Sequence, residues 1–152
     1  IILGDRVEGE AREVASAHAA MAREHADAGR KVAIISGGEL TVTVVGNGRG
    51  GPNQEYALGL ALAIEGDSRL SGLAGDTDGT DGGSGSASDP AGAYVDSTSA
   101  ARARAKNRDP VADLKNNNST ATFEATGDLL TPGPTLTNVS DFRVVLVDIA
   151  KA

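Results

Sequence analysis

Residues 46–64, GNGRGGPNQEYALGLALAI, constrain this chain more than any other stretch: four glycines and an arginine lead straight into a helix that is apolar almost all the way round. Glycines permit positive φ and close approach, Pro52 suits a first helical turn, and the amides that follow lack helical partners and favour an anion. The preceding residues 40–45, LTVTVV, alternate like a strand, so the local order is strand, glycine loop, helix. That order predicts a site for phosphate or carboxylate. Neither common nucleotide cradle is present: no acidic residue ends a second strand about 20 residues further on, and no GK[ST] occurs.

A chain of 152 residues suits one domain that buries about 70% of its unfolded surface. With no tryptophan, two phenylalanines and two tyrosines, the core must be built from Ala, Val, Leu and Ile. Few aromatic platforms and a net charge of −7 argue against nucleic acid, which calls for stacking surfaces and a basic face. Cysteine is absent, which excludes disulfides, thiolate metal sites and cysteine nucleophiles and fits a reducing cytoplasm. No run of 18 apolar residues and no leader pattern predict a cytoplasmic protein without a membrane partner. The chain opens without methionine on what reads as a strand end and an acidic helix start, the expectation for a fragment of something longer.

Along the chain, residues 8–28 carry alanines with Val14, His18, Met21 and His25 at three- and four-residue intervals, one long amphipathic helix stopped by Gly29. His18 and His25 lie seven apart, so they are read as lining its edge rather than as a metal pair, which needs i, i+4 spacing. Residues 31–36 read as a buried strand, antiparallel to 40–45 across the Gly37-Gly38 turn. A helix over 53–64 and a strand over 69–74 follow. Residues 83–92 read as a surface loop, 97–106 as a helix capped by Ser97 or Thr98, and Asp109-Pro110 as the start of a helix through Lys115 that Asn116 to Asn118 break. Ser119 or Thr120 caps a short helix ended by Gly127, and 142–149 form a final core strand. The whole predicts an α/β fold, a layered mixed-sheet sandwich with helices packed on the sheet.

The second informative run is Gly75-Asp76-Thr77-Asp78-Gly79-Thr80-Asp81-Gly82. Three carboxylates in six residues repel unless a cation or donors neutralise them. A calcium loop is excluded because Asp81 follows Thr80 and no glutamate holds the twelfth position. Two readings stay open: a turn built from Asx caps, and a Mg²⁺ or general-base site at the carboxyl end of a strand.

Taken together and in order, SGGELTVTV, GNGRGGPNQEYALGLALA, AGDTDGTDG, DPAGAYVD and GPTLTNVSDFRVVLV resemble the C-terminal MOFRL domain of type II glycerate kinases, also named hydroxypyruvate reductases, over nearly the whole chain. The resemblance implies ATP-dependent, Mg²⁺-supported phosphorylation of D-glycerate, a small hydroxy acid, to 2-phosphoglycerate. It places the reaction in a cleft between residues 1–152 and a larger Rossmann-like N-terminal domain of the same polypeptide. It implies an inactive isolated domain. An NAD(P)H-dependent hydroxypyruvate reductase and a non-catalytic anion- or partner-binding module are the rival readings. Self-association stays open, since no sequence feature decides it.

Carried over residue by residue, the resemblance assigns Arg49 with Gly48, Gly50 and Gly51 to the glycerate carboxylate or a phosphate, with Asn53 orienting it. Asp78 and Asp81 become the catalytic base or metal ligands, Asp76 a further metal ligand and Glu39 a second-line choice, while Thr137 and Asn138 donate across the cleft. Pro52 departs from the arginine expected between the glycines and Asn53, which removes a second positive contact.

Overall fold

A computed structural model describes residues 1–151. Helix α1 (Ala11–Asp27) leads into strand β1 (Val32–Ser36), and after the glycine loop helix α2 (Pro52–Ala63) leads into β2 (Leu70–Asp76). Then come β3 (Gly92–Asp96), α3 (Ser99–Ala105), α4 (Pro110–Lys115), α5 (Ser119–Thr126), β4 (Leu129–Leu130) and β5 (Asp141–Val147), with a 3₁₀ turn at Ile149–Lys151. The strands form one sheet in the order β1-β5-β2-β3-β4, every neighbouring pair antiparallel. Parallel pairing enters only at isolated bridges, Ile2 to Ile35 and Glu10 to Thr41.

The core follows from the small side chains. Ala11, Ala15, Ala19, Ala22 and Ala26 form one buried stripe on α1, and Gly59 of α2 meets that stripe so closely that a Cβ there would lie 3.3 Å from Ala15 Cβ. α2 is buried on all sides from Asn53 to Ala61, which explains why its sequence shows no polar face. β5 alternates, with Asp141, Arg143, Val145 and Val147 buried toward the helices. No described helix is long and apolar enough to cross a membrane.

Three expectations need correction. Residues 40–45 are not a strand: Thr41 makes a single bridge to Glu10, Val44 and Val45 are exposed, and the Thr43 and Val45 amides go to the side chains of Glu10 and Asn117. Alternation requires a neighbouring strand to become sheet, and β5 occupies the edge of β1 that 40–45 was expected to take, with Val32 opposite Val147. His18 is not at a helix edge but buried, with Nδ1 2.8 Å from the Tyr56 hydroxyl. Burial and the charge of Arg143 hold its pKa below the ordinary value. At the caps, Asp109 accepts from the Val111 and Ala112 amides as expected, and Gly127 ends α5 in the left-handed region. Asn118, rather than Ser119 or Thr120, is the N-cap residue of α5.

Candidate functional site

The glycine loop descends onto the turn between α4 and α5, and that turn consumes its donors. The Val45 and Gly46 amides donate to Asn117 Oδ1, Asn47 N to Asn116 Oδ1, Gly48 N to the Asn116 carbonyl, and Arg49 N to Asn118 Oδ1. The glycines serve this contact: a Cβ on Gly46 would lie 2.3 Å from the Asn116 carbonyl oxygen, and one on Gly48 2.3 Å from Asn118 Cβ. The Asn116 to Asn118 run, expected only to break a helix, is thus the clamp that shapes the loop. Its side-chain amides supply acceptors in the pattern of the loop's main chain.

The amides that open α2 do not await a ligand either. Asn53 N donates to Asp81 Oδ1 at 2.9 Å and Gln54 N to Asp81 Oδ2 at 2.8 Å. Asn53 Nδ2 and Gln54 Nε2 add bonds of 3.1 Å each, so all four lone-pair sites of this buried carboxylate are engaged. Asp81 is an internal anion at the helix N-terminus, where dipole and open amides favour one. Burial outweighs these donors and pushes its pKa up to about 6. A carboxylate so occupied has no lone pair for a metal and no reach toward a substrate hydroxyl. The roles expected of it as ligand or catalytic base therefore give way to positioning.

Two donors of the loop remain: the Gly50 and Gly51 amides have no acceptor among the described residues. Beside Gly50 a cavity of about 220 Å³ is lined by Arg49, Gln54, Asp81, Gly82 and Thr120, among others. Arg49 and the acidic loop thus face one crevice. Arg49 is well exposed at its rim, with Nη2 2.8 and 2.9 Å from the two carboxylate oxygens of Glu124 on α5. Ser119, buried beneath Gly50, carries a hydroxyl with no partner among the described residues.

Asp78 faces a second hollow of about 140 Å³, lined also by Gly79, Thr80, Ser86 and Pro134. Its Oδ1 accepts from Thr80 N in an Asx turn, and Asn138 Nδ2 reaches its Oδ2 at 3.4 Å. The 133–140 segment is tied to this loop through Thr77, whose hydroxyl donates to the Ser140 carbonyl at 2.7 Å and accepts from Val139 N at 2.9 Å. Thr137 lies exposed on that segment, and Glu39 accepts from the Ser140 hydroxyl at 3.3 Å. Asp76 accepts from Asp78 N; burial first, and the nearby charges of Asp78 and Asp141, raise its pKa above the ordinary value. Of the expected residues, Gly48, Arg49, Gly50 and Asp81 line the first hollow and Asp78 the second, with the 77–83 loop as their common wall. Among the described residues no three His, Asp or Glu gather into a ready-made metal cage.

Two residues behind the site were not anticipated. Arg143 and Asp141, both buried, form an ion pair at 2.8 Å. Asn53 Nδ2 donates to Asp141 at 2.7 Å, and Arg143 also holds the Gly37 carbonyl at 2.6 Å. The visible signal was two charges two apart in an otherwise apolar strand, hence on one face of it.

This is a two-layer α/β domain whose crevice, at one end of the sheet, joins a single exposed arginine to an acid-rich loop. The MOFRL family model matches residues 32–141, and the chain belongs to the MOFRL family. It is 44% identical over 118 residues to the D-glycerate 2-kinase of Thermotoga maritima, covering 78% of this chain and 27% of that protein. It is 46% identical to an Agrobacterium vitis protein provisionally named a hydroxypyruvate reductase, covering 97% of this chain and 34% of that one. The crystal structure of the Thermotoga maritima glycerate kinase superposes with a TM-score of 0.90 at 40% identity, over 97% of this chain and 36% of that chain. The chain spans about a third of the length of these relatives.

Proposed function

We propose that this chain forms one wall of a glycerate kinase active site, which a larger N-terminal domain of the kind its relatives' extra length allows completes from the other side. The observation that carries the reading is the crevice in which a solvent-facing guanidinium and the unengaged Gly50 amide meet the 77–83 loop, whose far side turns Asp78 into the adjoining hollow. Phosphoryl transfer from ATP asks for positioning and charge neutralisation more than covalent help. Arg49, with its Nε and Nη1 open, holds the carboxylate of D-glycerate or a phosphate oxygen, a task for which a planar guanidinium is suited. Gly48 and Asn53 act indirectly, because their donors are spent on Asn116 and on Asp81 and Asp141. Asp78 takes the proton of the 2-hydroxyl, and Thr137 and Asn138 supply donors from the facing segment.

A magnesium ion that arrives with ATP needs only one or two protein carboxylates. Asp76 and Asp78 fit that demand: burial first, and then the charges of Asp78 and Asp141, disfavour the ionised form of Asp76, and a cation relieves the charge part of that cost. Bound there, the ion would neutralise charge on the transferring phosphoryl group. The reductase reading gains nothing from the glycine loop, five of whose amides are committed to the 116–118 turn.

The test is a chimera in which this chain replaces the matching third of the Thermotoga maritima glycerate kinase. D-glycerate-dependent ADP release is expected, with loss of about 100-fold or more for Arg49→Ala and for Asp78→Asn. NADH oxidation with hydroxypyruvate and no ADP release would overturn the reading. Unchanged kinase activity in both variants would overturn the site.

A further inference from the structure

The helices cover only one side of the sheet. On the other, strand register aligns Ile2, Ile35, Val144, Leu73 and Tyr94 in a single row across five lanes. Neighbouring rows add Leu146 beside Ala33 and Ser71, and Phe142 beside Gly75. Ile2 is 82% exposed, Tyr94 48%, Leu146 44% and Phe142 42%. At the β3 edge the rows end on Asp96, opposite Ser71, and on Asp128, whose carbonyl accepts from Tyr94 N, and Arg102 pairs with both carboxylates. In a chain of net charge −7, so neutral and apolar a surface is anomalous, and a contiguous patch of this kind marks an interface.

We propose that this open sheet face packs against the same face of a second copy of the chain, sheet on sheet across a two-fold axis. Three observations favour that occupant. Strands about 4.8 Å apart, rising about 3.3 Å per residue, give a footprint on the order of 500 Å² per copy, so about 1,000 Å² in total, the lower end of specific association. The face carries no ladder of like charges to repel its own image, as a two-fold contact requires. The crevice lies at the strand ends, where Asp76 stands opposite Asp141, about 10 Å along β2 from Leu73. Exposed Val44, Leu136 and Val139 lie on the loops leading to and from the crevice. On the reading proposed above, a domain that completes the crevice meets that end of the sheet and can do so without covering this face.

Sedimentation equilibrium of the chain from about 5 to 500 µM tests this, with reversible, concentration-dependent association expected. The mass is expected to climb from 15.3 kDa toward twice that value. Leu146→Lys and Tyr94→Lys, at positions exposed enough to keep the fold, are expected to weaken association at least tenfold with unchanged circular dichroism. In mixed isotope-labelled wild-type samples, Leu73 and Val144 methyls are expected to show intermolecular contacts, a readout independent of variant folding. A mass that stays at the monomer value throughout would overturn the proposal and leave the face to the remaining length of a longer polypeptide. Association that survives Leu146→Lys and Tyr94→Lys combined in one chain, or intermolecular contacts that avoid Leu73 and Val144, would overturn it too.

Discussion

One terminal nitrogen of Arg49 lies 2.8 and 2.9 Å from the two carboxylate oxygens of Glu124, so the one cation that lines the anion crevice among the described residues is already facing an anion of its own chain. Both side chains are substantially exposed, and such pairs are weak. Glu124 therefore competes with any ligand for Arg49 without locking it. Glu124→Gln is expected to tighten binding of inorganic phosphate or D-glycerate by about three- to tenfold at low salt, with the gain shrinking as salt rises. Amide shifts of Gly50 and Gly51 during titration report it. Unchanged affinity would show that the pair does not oppose binding.

Asp81 should titrate near pH 6, two units above a free carboxyl. Between about pH 4 and pH 6 the folded chain then holds a proton that the unfolded chain has released, so this group's contribution to stability falls as pH rises through that window. Above about pH 6 it is flat, with a total loss of about 3 kcal/mol. Asp76, also raised, acts with the same sign. Asp67 and Asp96 are lowered and act oppositely below pH 4. Urea unfolding across this range should show Asp81→Asn removing most of the slope, and carbon-detected titration should place the Asp81 midpoint near 6. A midpoint near 4 would refute the assignment.

Asn117 accepts from two amides of the glycine loop, donates to Glu55 at 3.0 Å and sits at φ 51°. Asn117→Ala removes every side-chain bond and strains the backbone, a loss of about 2–4 kcal/mol. Gly48→Ala is expected to be as damaging because its methyl has nowhere to go. Thermal melting should fall by about 5–15 °C in each. A melting point within a degree of wild type would show that the loop is not held as described.

Removing one member of the Arg143–Asp141 pair strands the other in the core. Arg143→Met should cost about 3–5 kcal/mol, whereas Arg143→Met with Asp141→Asn should recover part of that loss, because no unpaired charge remains buried. A double variant no more stable than the single one would mean that Arg143 works chiefly through the Gly37 and Gly38 carbonyls it also binds.

Much of this architecture was legible from residue order. Helix α1, the buried helix α2 behind Pro52, the Asp109 cap and the Gly127 stop rest on periodicity and capping chemistry within a few residues and stand where expected, although the buried stripe of α1 is its alanines with His18 rather than Val14, Met21 and His25. Residues 40–45 misled because alternation is a property of a surface, and whether it becomes strand depends on a neighbour that lies elsewhere in the chain. β3 escaped for the converse reason: GAYVD is only five residues long and follows a glycine- and serine-rich loop, too little to announce a strand, yet it pairs along its whole length with β2.

Local sequence determined which segments could be helix or strand, where glycine was needed, and that Arg49 and three aspartates flank short loops. Folding decided which donors those loops still have to offer. The Asn116 to Asn118 turn and Asp81 reach the loop and the α2 N-terminus across roughly 70 and 28 residues of chain, and they satisfy main-chain groups that the local pattern left open for a ligand. A buried amide takes whichever acceptor the packed structure brings to it, because leaving it unpaired costs more than any local preference.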